Sequence, residues 1–294
     1  ADHGVNTFIF DWYWYENKPF LEEALTQGFF KAPNHRRVKF YLMWANHDAS
    51  TLWDLTRSER YEVIWPGAVD RAQFDRATDR VLKFFLKHPS YYTIDGKPVF
   101  AIYELGTLMQ GLGGLAETRA ALDAFRAKVV AAGFPGLHLQ AILWGNIPAT
   151  VSAPGDATPT QNSTIAALGF DSLTNYQWCH YVRPHGDYAD WAEKAIAAWE
   201  GWERDFSVPF FPHVSIGWDT NPRYAKRLTE FVAGGTPERF AHYLRAAKAF
   251  VDRHALHPKL ITINAWNEWS EGSYLEPDTQ FEYGYLDAVK KVFC

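Results

Sequence analysis

A chain of 294 residues with net charge -5 and interspersed acidic and basic residues has no basic stripe for neutralising phosphates, so nucleic acid is not an expected partner. No apolar run approaches the roughly 20 residues of a membrane span, and the first four residues carry no basic-then-apolar leader, so a mature chain or an excised fragment is expected. Two cysteines, Cys179 and Cys294, are too few for a disulfide framework and lack metal-ligand spacing, so free thiols, no metal and no cofactor are expected.

In chain order, short apolar runs rich in β-formers predict seven strands, at 6–11, 38–44, 98–103, 137–144, 170–176, 210–217 and 260–265. Amphipathic stretches separate them. Residues 71–87 place Phe74, Ala77, Val81, Phe84 and Phe85 on one face, and residues 237–254 place Phe240, Tyr243, Leu244, Ala247 and Val251 likewise. This alternation predicts repeated βα units around a parallel sheet. A single α/β barrel commonly takes roughly 250 residues, so one domain over 1–294 is expected. Seven units are one short of a closed (β/α)8 barrel of the TIM type, and only five residues precede the first strand. The expectation is that the first βα unit is missing from this sequence; a seven-stranded or partly open barrel is the competing explanation. The longest irregular stretches, 46–69 and 145–161, both follow strands and so rise over the catalytic face of such a barrel.

Aromatic residues make up 17% of the chain, more than a core alone requires. Eight of the 13 tryptophans (Trp12, Trp14, Trp44, Trp144, Trp178, Trp218, Trp266 and Trp269) lie at or just beyond the C-terminal ends of predicted strands, the end that bears active sites in these barrels. Asp11, Asn46, His47, Glu104, Asn146, Gln177, His180, Asp219, Asn267 and Glu268 accompany them. Indoles and carboxylate or carboxamide groups around one mouth suit a ligand with apolar ring faces and many hydroxyls, and carbohydrate fits best. Each indole has the competing role of plugging the barrel top, and Asp11 and Asp219 that of capping a following helix. Glu104 ends an apolar run where its charge meets the barrel mouth, which favours a site role. His180 and His213 read as ordinary hydrogen-bonded histidines.

The densest chemistry is the run Trp266-Asn267-Glu268-Trp269-Ser270-Glu271-Gly272 after the last strand. Two carboxylates three residues apart at a strand end are what acid/base cleavage of a sugar bond needs. The competing roles are a salt bridge for Glu268 and a helix-start acid for Glu271. Burial against Trp266 and Trp269 is expected to raise the Glu271 pKa. Ser273 with Glu276 fits a capping box, which leaves Glu276 outside the chemistry.

This run, followed by Leu275, Glu276 and Pro277, together with the segments Phe8 to Trp14 and Phe40 to Asn46, resembles the glycoside hydrolase family 99-like group, which includes WbsX-type proteins of polysaccharide gene clusters. The resemblance implies a (β/α)8 barrel hydrolase that cleaves α-mannosidic or related linkages with retention. Glu268 then takes the proton of the substrate's 2-hydroxyl, which attacks the anomeric carbon, and Glu271 protonates the leaving oxygen and later activates water. Attack by a 2-hydroxyl favours manno-configured sugars, mannose or rhamnose. The resemblance also places a first strand ahead of Asn6. Asp11, Trp12, Trp14, Trp44, Asn46, Glu104, Trp144, Trp218, Asn267 and Trp269 are the candidates for lining the sugar sites. The partner is then an oligosaccharide or polysaccharide, the compartment secreted or periplasmic. The competing functions are a glycosyltransferase of polysaccharide assembly, against which no Gly-rich phosphate loop is found, and a catalytically idle carbohydrate-binding barrel.

Overall fold

The computed structural model describes residues 1–54, 61–153, 157–224 and 228–294, so parts of the two long loops, 55–60 and 154–156, lie outside the described residues. All seven predicted strands are present. They are β1 (Thr7–Tyr15), β2 (Lys39–Trp44), β3 (Lys97–Ile102), β4 (His138–Ile142), β5 (Ser172–Thr174), a sixth split into β6 (Phe210–Phe211) and β7 (His213–Ser215), and β8 (Thr262–Asn264). Each pairs in parallel with the next in sequence: Trp12 with Trp44, Trp44 with Ile102, Val99 with His138, Gln140 with Ser172, Leu173 with Phe210, and Val214 with Ile263. The split falls at Pro212, which has no N–H for a ladder. There the partner changes from β5 to β8, and the Pro212 carbonyl accepts from Thr262 at 3.1 Å.

Helices connect the strands, which makes the fold the α/β barrel that the alternation predicts. They are α1 (Arg71–Val81), α2 (Leu105–Leu112), α3 (Leu115–Ala131), α4 (Gln161–Leu168), α5 (Tyr188–Ile196), α6 (Trp199–Asp205), α7 (Pro237–Arg253) and α8 (Gly284–Phe293). The long ones start on sequence signals. Asp70 accepts from the Gln73 amide at 2.7 Å ahead of α1, and Thr236 accepts from the Arg239 amide ahead of α7, whose first residue is Pro237. α1 runs into a π turn, Leu82–Leu86. The wider turn rotates the face, so Phe85 and Leu86 are buried while Phe84 faces out beneath the Arg80 guanidinium, 4.8 Å from its ring centroid.

Strand alternation sorts the side chains into two layers. Outward residues such as Trp44 and Phe100 pack against Phe74 of α1 and Phe125 of α3. Inward residues are more polar: Tyr41 donates to Gln140 at 3.0 Å, and His213, Ser215, Thr174 and Thr262 form a buried cluster with contacts of 2.9 to 3.1 Å. Burial holds the His213 pKa down to about 3, so its imidazole stays neutral in that cluster. Among the described residues, no ladder joins β8 to β1. Phe8 and Trp266 meet there edge to face, with centroids 5.2 Å apart.

Candidate active site

At the C-terminal ends of the strands lies a cleft of about 400 Å³. β1 contributes Asp11 and Tyr13, β2 and its loop Met43, Ala45 and His47, and the end of β3 Tyr103 and Glu104. The loops after β4, β5 and β7 add Trp144, then Tyr176 and His180, then Trp218 and Arg223. Glu268 and Glu271 complete the wall.

The two glutamates sit on a small hairpin, β9 (Asn267–Glu268) and β10 (Ser273–Tyr274), whose connection is one 3-10 turn, Trp269–Glu271. Gly272 closes that turn at φ +62, in the left-handed region, against the backbone nitrogen of Asp219. The Ser273 hydroxyl donates to the Asn264 carbonyl at 2.7 Å, and the Gln177 amide donates to the Asn264 side chain at 2.9 Å. Ser273 is therefore a strand residue tied to β8, and the expected capping box does not form. Glu276 instead accepts from the Trp269 indole at 2.6 Å.

The glutamates have unlike surroundings. The Glu268 side chain is 30% exposed, that of Glu271 11%. Burial first, and then the charge of Glu268, push the Glu271 pKa up to about 7, while Arg223 pulls the other way. Arg223 bonds Glu271 Oε1 at 2.9 Å and stands 3.7 Å from Glu268 Oε2. Asp11 is a third carboxyl in the same cleft. Burial pushes it up to about 7 as well, opposed by the Tyr176 hydroxyl that donates to Oδ2 at 2.9 Å and assisted by repulsion from Glu268 and Glu271. Glu104 is also raised by burial. His180 is held down to about 4 by burial, so it is neutral, and its Nε2 meets the Tyr103 hydroxyl at 3.2 Å.

The candidates from sequence divide cleanly. Asp11, Glu104, Trp144, Trp218, Glu268 and Glu271 line the cleft. Trp12, Trp14 and Trp44 do not: their relative exposures are 2%, 5% and 0%, and they pack against one another in the outer layer. Strand parity explains this, because Asp11 and Tyr13 point inward and Trp12 and Trp14 must then point outward. The Trp12 indole donates to Glu22, which in turn pairs with Arg80. Asn46 is buried and exchanges two hydrogen bonds with the Glu104 backbone, at 2.7 and 2.8 Å, so it fixes the peptide that carries Glu104. Asn267 is exposed outside the cleft, and Trp269 stacks on Tyr274 at 3.7 Å on the outer side of the hairpin. Trp266 turns to Phe8, and neither flanking indole lines the cleft.

Cleft residues not selected from sequence include Tyr13, Met43, Ala45, Tyr103, Tyr176 and Arg223. Parity with Asp11 identifies Tyr13, and opposition to Trp44 identifies Met43 and Ala45. Nothing local marks Arg223, which reaches the site through a loop after β7. Asp219, whose carboxylate accepts from the Asn221 amide at 2.9 Å, braces a turn there; the cap position of the short helix Asn221–Arg223 is Thr220, so the expected helix cap does not form. No group of three or more His, Cys, Asp or Glu that could hold a metal ion occurs among the described residues. No helix there is long and apolar enough to cross a membrane.

Known proteins resemble this chain in sequence or in fold. The protein WxcX, described as uncharacterized, from two strains of Xanthomonas campestris pv. campestris, is 27% identical over 99% of this chain, which spans 39% of that protein's length. A solved glycoside hydrolase-like protein superposes with a TM-score of 0.63 at 16% identity, covering 99% of this chain and 82% of the other. The family 99 endo-alpha-mannosidase from Bacteroides thetaiotaomicron superposes with a TM-score of 0.57 at 15% identity, covering 96% of this chain and 73% of the other. At these identities the two structures bear on the fold alone, that of a glycoside hydrolase-like barrel. The family profile of glycosyltransferase WbsX matches residues 1–289, and the chain therefore belongs to the WbsX family.

Proposed function

We propose that this protein is a glycoside hydrolase that cleaves an α-linked, manno-configured sugar in a complex glycan with retention of configuration. The observation that carries this reading is the unequal pair at the β9–β10 hairpin: Glu271 buried with its pKa pushed up to about 7, and the more exposed Glu268 beside it. A carboxyl that is still protonated near neutrality can donate a proton, and a neighbouring carboxylate in a wetter place can accept one.

In the proposed reaction Glu268 takes the proton of the sugar's 2-hydroxyl as that oxygen bonds to the anomeric carbon. Glu271 gives its proton to the leaving oxygen, which keeps the electron pair of the broken bond. Water then opens the 1,2-anhydro ring, giving a proton to Glu271, while the 2-oxygen takes its proton back from Glu268. The 2-hydroxyl must stand anti to the leaving oxygen, which an axial one does in mannose or rhamnose. The structurally similar Bacteroides thetaiotaomicron protein is an endo-alpha-mannosidase, in keeping with that preference. Asp11, Glu104, Trp144 and Trp218 are proposed to hold the sugar, the indoles by stacking and the carboxyls through hydroxyls.

Incubation with a panel of aryl α-glycosides and oligosaccharides, with products followed by NMR, reports both the sugar and the stereochemical outcome. Glu271→Gln is expected to lower turnover by about 10²- to 10⁴-fold, the worth of a positioned proton donor, with the melting temperature kept. Near-wild-type turnover in that variant would remove Glu271 from the chemistry. The second reading, favoured by the description of the family itself, is glycosyl transfer in polysaccharide assembly. Transfer from a nucleotide sugar to an oligosaccharide without hydrolysis in water would establish it instead.

A further inference from the structure

The loop that carries Arg223 and the hairpin that carries Glu271 are joined at the backbone. The Asp219 amide donates to the Glu271 carbonyl at 2.7 Å, and Asp219 Oδ1 accepts from the backbone and side-chain amides of Asn221 at 2.9 and 2.7 Å. Gly217 lies so close that a Cβ there would stand 2.8 Å from the Gly272 carbonyl oxygen. The Arg223 guanidinium is thus brought to a fixed place. One terminal nitrogen bonds Glu271 Oε1 at 2.9 Å; the other donates to Ser270 Oγ at 3.0 Å and stands 3.7 Å from Glu268 Oε2. Glu271 Oε2, by contrast, is buried and has no hydrogen-bond partner among the described residues. One cation makes the two oxygens of a single carboxyl unequal.

We propose that Arg223 is the positioning residue of the glutamate pair: by holding Oε1 it leaves Oε2 as the oxygen through which Glu271 exchanges its proton with the glycan. This rests on the hydrolase reading. The proton on Oε2 passes to the leaving glycosidic oxygen as the carbon–oxygen bond breaks and its electron pair goes to that oxygen. The charge left on Glu271 then lies against a guanidinium already in position, so no reorganisation is needed at that moment. In the second half the attacking water returns a proton to Oε2. Among the described residues, the groups whose charge acts on or from Glu271 are Glu268, Asp11, Tyr103, Tyr176, Cys179 and Arg223, of which only Arg223 is cationic. A lysine would supply the charge but not the fork that joins Glu271 to Ser270.

Infrared difference titration of the chain against Glu271→Gln isolates the Glu271 carboxyl band and requires no turnover. In Arg223→Met the midpoint should rise by about 1 to 3 pH units, the range an opposite charge at this distance commands. The high-pH limb of kcat/KM should move with it. Arg223→Lys should leave the midpoint nearly in place, while kcat falls about 10²-fold, as misplacement by an ångström does, and KM holds. An unmoved midpoint in an Arg223→Met protein that melts like the parent overturns the proposal, as does a full kcat in Arg223→Lys. Should Arg223→Met fail to fold, the kcat of Arg223→Lys decides alone. A raised midpoint and a changed band shape in a protein that cleaves no glycan would sink the hydrolase reading and leave Arg223 in its assigned place.

Discussion

Glu271 and Asp11 are carried as carboxyls with pKa values near 7, and each costs the fold stability once it ionises. Their folded values lie above their unfolded ones, so the folded state binds more protons between about pH 4 and 7, and stability is fully present below that window and lost through it. At about 1.4 kcal/mol for each step of one in pKa, Glu271 alone costs on the order of 3 kcal/mol above pH 7. Thermal unfolding from about pH 4.5 to 8 should show a falling melting temperature, and Glu271→Gln should flatten the fall. Parallel curves for parent and variant would show that Glu271 titrates normally. At this scale the sequence singled out Glu268 and Glu271 by their place just after the last strand, and both line the cleft. It did not disclose which indoles face the ligand. Trp12 and Trp44 were legible as strand-end residues, but the side they face is set by parity relative to Asp11, and parity is fixed only once one inward residue is known.

The hairpin β9–β10 is an element too short to announce itself, since each arm is two residues long and neither has β-branched or alternating character. Its shape is imposed from outside, by Asn264 and Asp219, which bond it directly, and by Gln177, which holds the Asn264 side chain. Gly272 is the joint. A Cβ at its φ of +62 would stand 3.1 Å from both the amide nitrogen and the Cβ of Asp219. Gly272→Ala should therefore cost about 1 to 3 kcal/mol, the range for a strained backbone position, and displace both glutamates, so activity should fall further than stability accounts for. Equal activity at a temperature where the variant is fully folded would show that the hairpin tolerates the shift. The long strands and helices were legible for the opposite reason: β2, β3, α1 and α7 carry their own periodicity and caps. One strand over 210–217 was the expectation; Pro212 divides it and changes its partner.

Across the whole molecule, the order of strands follows the order of the chain, so the barrel was readable from alternation alone. What alternation leaves open is the seam. The carbonyls of Asn6 and Trp12 point at β2, and those of Pro212 and Asn264 define the ladder between β7 and β8. The intervening Ile9 and Ile263 amides therefore face away from their neighbours, and Ile9 is 36% exposed. Native-state hydrogen exchange should be faster at Ile9 and Ile263 than at Phe100 and Ala101 of β3 by orders of magnitude, because only the latter lie between two strands. Equal protection would show that a further contact covers the seam. Phe8 and Trp266 meet across that seam, with Asp11 on one side of it and the glutamate pair on the other. In the proposed hydrolase, the reach of those carboxyls across a sugar would then depend on how these two rings seat against each other.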